Sequence, residues 1–339
     1  MKLILICCEA YCEAYCEAYC EVKMCDLLKE DEKSYLISQT AEDVENLCNE
    51  LHFDDCLTRT IVQSFKNIDI SVLMDYIQDL FNDGFNQELA VAKLNEYCAD
   101  DSGMRILSIF MVCVLLVRRR YEQAGIKDEV FLSTFGFIKR FVKKIRVGKY
   151  PFVFSEEFWF PRLLSMKIFR LGELEFEFCK KQNLVSVHIS SDAKLSIENL
   201  TISFMLANEF IDKYIPELKN CTFYCISWLL DPALDKLLPE KSNIRVFRSM
   251  FRVFGIAYSD DYKRWVFGEN CKIFGRGENG VNCGKENNVE ACGEVRKESD
   301  MESGMESDKT ETSLQKNIRE YVENGGRMAI GYGVLKNVK

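Results

Sequence analysis

The fold is decided by residues 184–228, which read LVSVHISSDAKLSIENLTISFMLANEFIDKYIPELKNCTFYCISW. The opening run, Leu184–Ile189, is short, apolar and rich in valine, as in a buried strand. Ser196 is a good N-cap for the amphipathic segment that follows, and Pro216 marks the end of that segment. Residues 221–228 predict a second strand. Strand, helix and strand in this order form a β-α-β unit, so we expect two parallel strands whose carboxyl ends meet at one edge of a sheet.

More strands are predicted on both sides of this unit. KIFRLGELEFE (167–177) alternates apolar and polar residues around Gly172, which indicates a β-hairpin. Three further strands are indicated by RVFGIAY (252–258), RWVFG (264–268) and GYGVLK (331–336). Residues 312–326 predict a helix that begins with a capping box of Thr312 and Gln315 and ends at two glycines. This part of the chain is therefore expected to form a mixed-sheet α/β domain.

The part before it is predicted to be a helical bundle. Between residues 41 and 150 the apolar positions recur with a period of about 3.6 residues. Residues 104–124 are apolar almost all round, as in a central helix, and they end in three consecutive arginines, as expected of a solvated helix end. Residues 130–145 predict a further helix with aromatic and basic residues. That mixture fits a nucleic-acid face, but it is more typical of a core stripe flanked by lysine stems.

Two segments do not fit either pattern. Residues 1–25 contain a CEAY repeat, which is typical of an expanded nucleotide repeat. The alternative is that the translation start is assigned too early and that Met24 is the true first residue. Residues 271–309 are rich in glycine, glutamate, asparagine and serine and are expected to form a disordered insert. The predicted organisation is thus a leader (1–25), a helical domain (41–150) and a mixed-sheet domain (151–339) that contains the insert.

Composition limits the classes of partner. The chain has 339 residues, enough for two domains, and a net charge of -9, which argues against broad binding to nucleic acid or anionic membranes. Residues 106–117 form the longest apolar run, far shorter than the roughly 20 residues needed to span a bilayer. The chain is large and has no convincing export signal, so its 16 cysteines are expected to be reduced thiols of a cytoplasmic protein. Cys8, Cys12, Cys16 and Cys20 have the four-residue spacing that would allow a thiolate metal site on a helix, but their exact repeat favours the other interpretations. Cys271, Cys283 and Cys292 lack the short C-x-x-C spacing of a zinc site, so we expect no metal.

Reactive side chains concentrate where the two strands of the β-α-β unit end. His188 is the natural general base or acid at neutral pH, although a hydrogen-bonded histidine at a strand end is an equally good interpretation. Asp231 could orient that base or bind an amine, but before Pro232 it is at least as well explained as the cap of a short helix. Ser227 completes the predicted catalytic set. Cys225 is expected to be buried and inert.

The loop between the first strand and the helix could bind phosphate. It leads into a helix N-terminus, where free backbone N–H groups and the helix dipole favour anions. We expect Ser190, Ser191, Lys194 and Trp228 to bind a cofactor at this edge. Asp192 and Glu198 count against this site, because carboxylates near that end compete with an anion.

Several segments resemble a known family, the bacterial proteins with an N-acyltransferase N-terminal domain followed by a GNAT-like C-terminal domain. The resemblance covers most of residues 41–339, and its most specific parts are SWLLDP (227–232) and the Arg-Leu-Gly turn at 170–172. The segments that carry it are RRRYEQAGIKDEVFLSTF (118–135), KIFRLGELEFEF (167–178), VSVHISSDAKLS (185–196), CISWLLDPALDKLLPEKSNI (225–244) and TSLQKNIREYVENGGRMAIGYGVL (312–335).

The resemblance implies a GNAT-like fold and transfer of an acyl group from acyl-CoA to a small-molecule acceptor with an amine. The chain departs from the family at Ile226, where members often have a histidine, and at Ser190, where they have a proline. It also lacks the glycine-rich pyrophosphate signature of GNAT enzymes; the segment RMAIGYG (327–333) has one residue too many. These departures leave a non-catalytic ligand-binding or regulatory module as the alternative.

Overall fold

The computed structural model describes residues 28–82, 86–144, 151–267 and 311–336. The predicted leader (1–25) and the predicted insert (271–309) lie outside the described residues. The elements before the large sheet are α1 Glu30–Ile37, α2 Ala41–Glu50, α3 Asp55–Phe65, α4 Met74–Phe81, α5 Asn86–Cys98, α6 Met104–Gln123, α7 Asp128–Phe135, α8 Ile138–Phe141, β1 Val142–Lys143, β2 Val153–Phe154 and α9 Phe160–Leu164. The predicted helical bundle is confirmed.

Helix α6 is the centre of this bundle, as its sequence predicts. Its residues from Ile106 to Val114 are fully buried, and α1, α2, α3, α5, α7 and α9 pack around it. The arginines at its end are not simply solvated. Arg118 Nη2 lies 3.0 Å from Glu50 of α2, and Arg120 Nε lies 2.8 Å from Glu32 of α1. The end of the central helix is therefore tied to its neighbours by ion pairs.

Residues 130–145 do not form the single helix that we predicted. Helix α7 ends at Phe135, where Gly136 provides the C-cap, and α8 is only one turn long. The chain then becomes strand β1, which pairs antiparallel with β2. Glycine has low helix propensity, and the β1–β2 pairing satisfies backbone groups that a continued helix would have used. This change of direction leaves Arg140 beside the large sheet.

The mixed sheet has six strands in the order β3-β4-β5-β6-β8-β7. Their bounds are β3 Ile168–Leu171, β4 Leu174–Cys179, β5 Leu184–Ile189, β6 Thr222–Ser227, β7 Phe251–Tyr258 and β8 Ala329–Leu335. Strands β5 and β6 are parallel, as predicted, and the other neighbouring pairs are antiparallel. The predicted hairpin of β3 and β4 turns at Gly172. The α+β fold class is therefore confirmed.

The helices of this half are α10 Ile197–Tyr214, α11 Leu234–Leu237, α12 Asn243–Ser249, α13 Tyr262–Phe267 and α14 Ser313–Glu323. Ser196 caps α10, and Thr312 and Gln315 form the expected capping box of α14. Helix α10 covers one face of the sheet through aromatic contacts; the rings of Phe178 and Phe210, for example, stack with centroids 5.6 Å apart. The opposite face of β4 and β5 carries polar side chains, which contact Arg140, Trp159 and Arg162 of the helical half. The two halves share one hydrophobic core through β3, where Phe169 contacts Tyr121 of α6.

The segment RWVFG (264–268) was predicted as a strand, and this prediction is wrong. Residues up to Phe267 lie in helix α13, in which Tyr262 and Val266 are one turn apart. Both residues pack with Ile318 of α14 in a small second core. A short apolar run is ambiguous between strand and helix, and here the i, i+4 spacing matches the available core.

Candidate active site

The two parallel strands separate towards their carboxyl ends. Their described pairing joins only Leu184–Ser186 of β5 to residues 222–224 of β6, although each strand continues for three more residues. Over that length β5 stays paired with β4, and β6 stays paired with β8. The sheet thus contains a wedge-shaped opening between β5 and β6, bounded by their last three residues. A ligand could pair with backbone groups on both sides of it.

His188 lies on β5 at this wedge, and it is held by a carboxylate. Its Nε2 is 3.0 Å from Oε2 of Glu177, which lies on the neighbouring strand β4. The Glu177 side chain is 9% exposed and the His188 side chain 27% exposed, so the imidazole is still accessible. The Trp159 ring and the imidazole are nearly perpendicular, with centroids 5.2 Å apart.

The charge of Glu177 is maintained despite its burial. Burial raises the pKa of this carboxyl, but the hydrogen bond from His188 and the charge of Arg162 outweigh burial, so the pKa is lowered below its ordinary value. Arg162 Nε lies 3.9 Å from Glu177, and its guanidinium also stacks over the Trp159 ring. An ionised carboxylate beside Nε2 favours the tautomer with a proton on Nε2, which leaves Nδ1 as a proton acceptor.

Asp231, the second predicted catalytic residue, has other partners. It is 3% exposed; Oδ1 accepts the backbone N–H of Ala233 (2.8 Å) and Oδ2 accepts that of Ala329 (2.7 Å). Burial raises its pKa, although these hydrogen bonds act in the opposite direction. The carboxylate therefore caps the turn after β6 and ties it to the first residue of β8. This role is structural, as in the alternative that the sequence offered, but the N-cap of α11 is Ala233 and not Asp231.

Ser227 also serves as a cap. Its hydroxyl oxygen accepts the backbone N–H of Leu229 at 3.1 Å and begins the 3-10 turn Trp228–Leu230. Side chains alternate along a strand, and the register pairs Ser186 with Tyr224. His188 therefore shares a face with Tyr224, whereas Ser227 belongs to the other face. The described contacts do not join His188, Ser227 and Asp231, and their catalytic roles stay predictions.

Glu173, in the β3–β4 turn, accepts two hydrogen bonds from the predicted phosphate loop, residues 190–196. The Ser190 hydroxyl donates to the Glu173 carbonyl (3.4 Å), and the Lys194 backbone N–H donates to its carboxylate (3.0 Å). Ser191 and the Lys194 side chain are exposed at the start of α10. Trp228, the remaining predicted cofactor residue, is half-buried at the end of β6, where it packs against both cores.

Asp192 does not present a free negative charge in this loop. Arg140 Nη1 lies 2.8 Å from its carboxylate, and Arg170 Nη1 lies 2.9 Å from it. Burial raises the pKa of Asp192, but the hydrogen bonds from the two arginines dominate and lower it to about 2. Asp192 therefore competes less with a bound phosphate than its sequence position suggests.

Cys225 is fully buried on β6, and burial raises the pKa of its thiol, so it is a poor nucleophile. Within the described ranges, no group of three or more histidine, cysteine, aspartate or glutamate side chains is arranged to hold a metal ion. None of the helices in the same ranges is long and apolar enough to cross a bilayer.

Sequence reasoning found His188 but missed Glu177, Trp159 and Arg140. A signal for Glu177 was present: in LEFEF (174–178) the glutamates alternate with leucine and phenylalanine. One face of β4 is covered by α10 and the other is contacted by the helical half, and the alternation places two carboxylates on the face that carries His188. Trp159 and Arg140 come from the helical half, and nothing in their local sequence indicates which strand they approach.

Comparison with protein families agrees with this architecture. Residues 42–166 match the model of the N-acyltransferase N-terminal domain, and residues 168–275 match that of the GNAT-like C-terminal domain. No curated protein sequence gives a significant match.

Solved structures with the same fold are acyltransferases. One, in complex with decanoyl-CoA and teicoplanin, is 18% identical, with a TM-score of 0.61 and 88% of each chain covered. Another, in complex with decanoyl-CoA, is 16% identical, with a TM-score of 0.62 and the same coverage. A third, in complex with CoA and 10C-teicoplanin, is 18% identical, with a TM-score of 0.62, and covers 90% of this chain and 93% of the other. The two family matches together span well over half of the chain, which therefore belongs to the acyltransferases that join an N-acyltransferase N-terminal domain to a GNAT-like C-terminal domain.

Proposed function

We propose that this protein transfers an acyl group from acyl-CoA to an amine on a small-molecule acceptor, in the cytoplasm, at the wedge between β5 and β6. The observation that carries the proposal is the separation of these parallel strands directly beside the His188–Glu177 pair. Acyltransferases of the same fold hold acyl-CoA, which supports this choice of donor.

The residues around the wedge fit such a donor. The pantetheine arm of acyl-CoA carries amide groups, which can pair with the backbone of β5 and β6 where these strands no longer pair with each other. Its phosphates suit the start of α10, where Ser190, Ser191 and Lys194 lie and where the helix dipole favours an anion. Trp228 lies at the end of β6, and we expect it to contact the donor from the other side.

His188 is the proposed base. An ammonium acceptor must lose a proton before it can attack, and Nδ1 of the imidazole receives that proton while Glu177 stabilises the resulting positive charge. The neutral amine then attacks the thioester carbonyl carbon; a C–N bond forms, the C–S bond breaks, and the departing thiolate takes up the proton that the new amide nitrogen releases. Ser227 and Asp231 support the edge on which this happens rather than the proton transfer itself.

Replacing His188 tests this proposal. His188→Ala should lower the turnover number for acyl transfer by roughly 100-fold, since a positioned base contributes at least that much, while the thermal midpoint stays close to that of the parent. The assay offers acyl-CoAs of increasing chain length with a panel of amines. His52→Asn is the matched control: it removes the other histidine from an exposed position with φ of 56°, a conformation that asparagine tolerates.

Two results would contradict the proposal. Full turnover by His188→Ala would mean that the base lies elsewhere. A parent protein whose thermal midpoint rises with acyl-CoA but which acylates no amine would support the non-catalytic ligand-binding alternative.

A further inference from the structure

Arg140 belongs to the helical half of the chain, yet it contacts the sheet. It lies in α8, and its side chain is only 10% exposed. One end of its guanidinium, Nη2, is hydrogen-bonded to Glu175 of β4, a residue that is itself buried and paired in register with His188. The other end, Nη1, donates to Asp192 at 2.8 Å. A single side chain thus joins the helical half, strand β4 and the loop 190–196.

A second arginine holds the same carboxylate from the sheet side. Arg170 Nη1 lies 3.0 Å and 2.9 Å from the two carboxylate oxygens of Asp192, and its Nη2 lies 3.6 Å from Glu173. Glu173 in turn accepts the backbone N–H of Lys194. The loop is therefore fixed at two points, through Asp192 and through Lys194, by side chains that do not belong to it.

The charges in this network depend on one another. A buried arginine is tolerated only when acidic groups with good geometry compensate it, and a buried glutamate requires the same in return. Removing Arg140 leaves Glu175 without its partner and leaves Asp192 with one arginine instead of two. Asp192 is then held by Arg170 alone, and the Glu173–Lys194 contact is the other support that the loop keeps.

We propose that Arg140 is a positioning residue through which the helical domain holds loop 190–196 in the conformation that receives the phosphates of acyl-CoA. This inference rests on the proposed function, which places those phosphates on the loop. It gives the helical domain an indirect part in donor binding, because Arg140 positions the loop and makes no contact with the phosphates.

The test compares two donors that differ only in the phosphate-bearing part. Arg140→Lys keeps the charge but loses the forked contact to Glu175 and Asp192, and Arg170→Lys does the same from the sheet side. Each variant should raise the Kd of acyl-CoA about tenfold by misplacing the loop, whereas the Kd of the corresponding acyl-pantetheine, which lacks the phosphates, should change less than about twofold. Isothermal titration calorimetry gives both constants for the full chain.

Arg118→Lys is the matched control. Arg118 also binds carboxylates of neighbouring elements, Glu50 and Asp128, but it lies at the end of α6 and its partners are not in the loop. This variant should leave both dissociation constants unchanged, even if its thermal midpoint falls as much as that of Arg140→Lys.

The outcomes separate the two proposals. A parent protein that binds neither donor overturns the proposed function and this inference with it. A parent that binds acyl-CoA, with Arg140→Lys and Arg170→Lys binding equally tightly or weakening both donors alike, overturns the positioning role alone. Asp192→Asn adds a further check: weaker binding supports positioning through this carboxylate, whereas tighter binding shows that Asp192 merely competes with phosphate and overturns the inference.

Discussion

At the scale of single residues, a substitution of Asp231 tests whether this residue has a structural or a catalytic role. Both of its carboxylate oxygens accept buried backbone N–H groups, from Ala233 and Ala329. In Asp231→Asn one of these N–H groups faces an NH₂ group and loses its acceptor, so the free energy of unfolding should fall by about 1–3 kcal/mol while turnover per folded molecule is kept. Urea unfolding and an acyl-transfer assay on the same sample measure both quantities.

The control for this change is Asp235→Asn. Asp235 forms ion pairs with Arg245 and Arg248 but is half-exposed, so its loss should cost less than about 1 kcal/mol. Wild-type stability of Asp231→Asn together with a large loss of turnover would show that the carboxylate takes part in the chemistry.

The candidate site could be predicted from the sequence only in part, and its residues show why. His188 was identified because histidine is rare in this chain and ends a strand. Its contact with Glu177 follows from the register between β4 and β5. The hairpin turn that the sequence reveals fixes only the register between β3 and β4. The roles of Ser227 and Asp231 depend on which backbone N–H groups lie within reach, and Ala329 is far away in the sequence. Such contacts follow from the tertiary fold and not from local pattern.

At the scale of elements, the tight β3–β4 turn depends on a glycine. Gly172 has φ of 70°, and an added Cβ would lie 2.5 Å from Ser203 Oγ and 3.2 Å from Ser203 Cα on helix α10. Gly172→Ala should therefore suffer both backbone strain and a clash that separates the hairpin from α10. Gly125 has φ of 65° with nothing within 4 Å of the added Cβ, so Gly125→Ala suffers the strain alone.

We expect Gly125→Ala to lower the free energy of unfolding by about 1 kcal/mol and Gly172→Ala to lower it by at least about 1 kcal/mol more. Chemical denaturation of both variants measures the difference. Equal losses would mean that the Gly172 turn adjusts without disturbing its packing on α10.

Elements with a complete local signal were predictable, and the others needed the tertiary fold. Helix α14 has a capping box at one end and glycines at the other, and strand β5 is a short apolar run between polar residues. Helix α13 has neither signal, and only the small core around Ile318 decides between helix and strand. The break after α7 likewise follows from the pairing of β1 with β2, a contact between distant residues.

At the scale of the whole molecule, the helical and sheet halves share one hydrophobic core, which bears on how they unfold. One cluster of contacting buried side chains includes residues of both halves, the first being Leu28 and the last Phe251. Tyr121 of the central helix contacts Phe169 of β3, with ring centroids 5.6 Å apart, and Phe169 continues to Phe210 of α10 at 4.5 Å. Phe169 is therefore a physical link between the two halves.

Phe169→Ala should weaken both halves together. Removing a buried phenylalanine costs about 3–5 kcal/mol, and because its neighbours belong to both halves, neither can keep its stability when the other unfolds. Far-UV circular dichroism is dominated by the helical half. Of the three tryptophans, Trp228 and Trp265 report on the sheet half, and Trp159 reports on the contact between the halves, where it meets His188. The two midpoints should coincide in the parent and shift by the same amount in the variant. Phe254→Ala, at an exposed position on the edge strand β7, should shift neither, and two separate transitions in the parent would show that the halves unfold independently despite their common core.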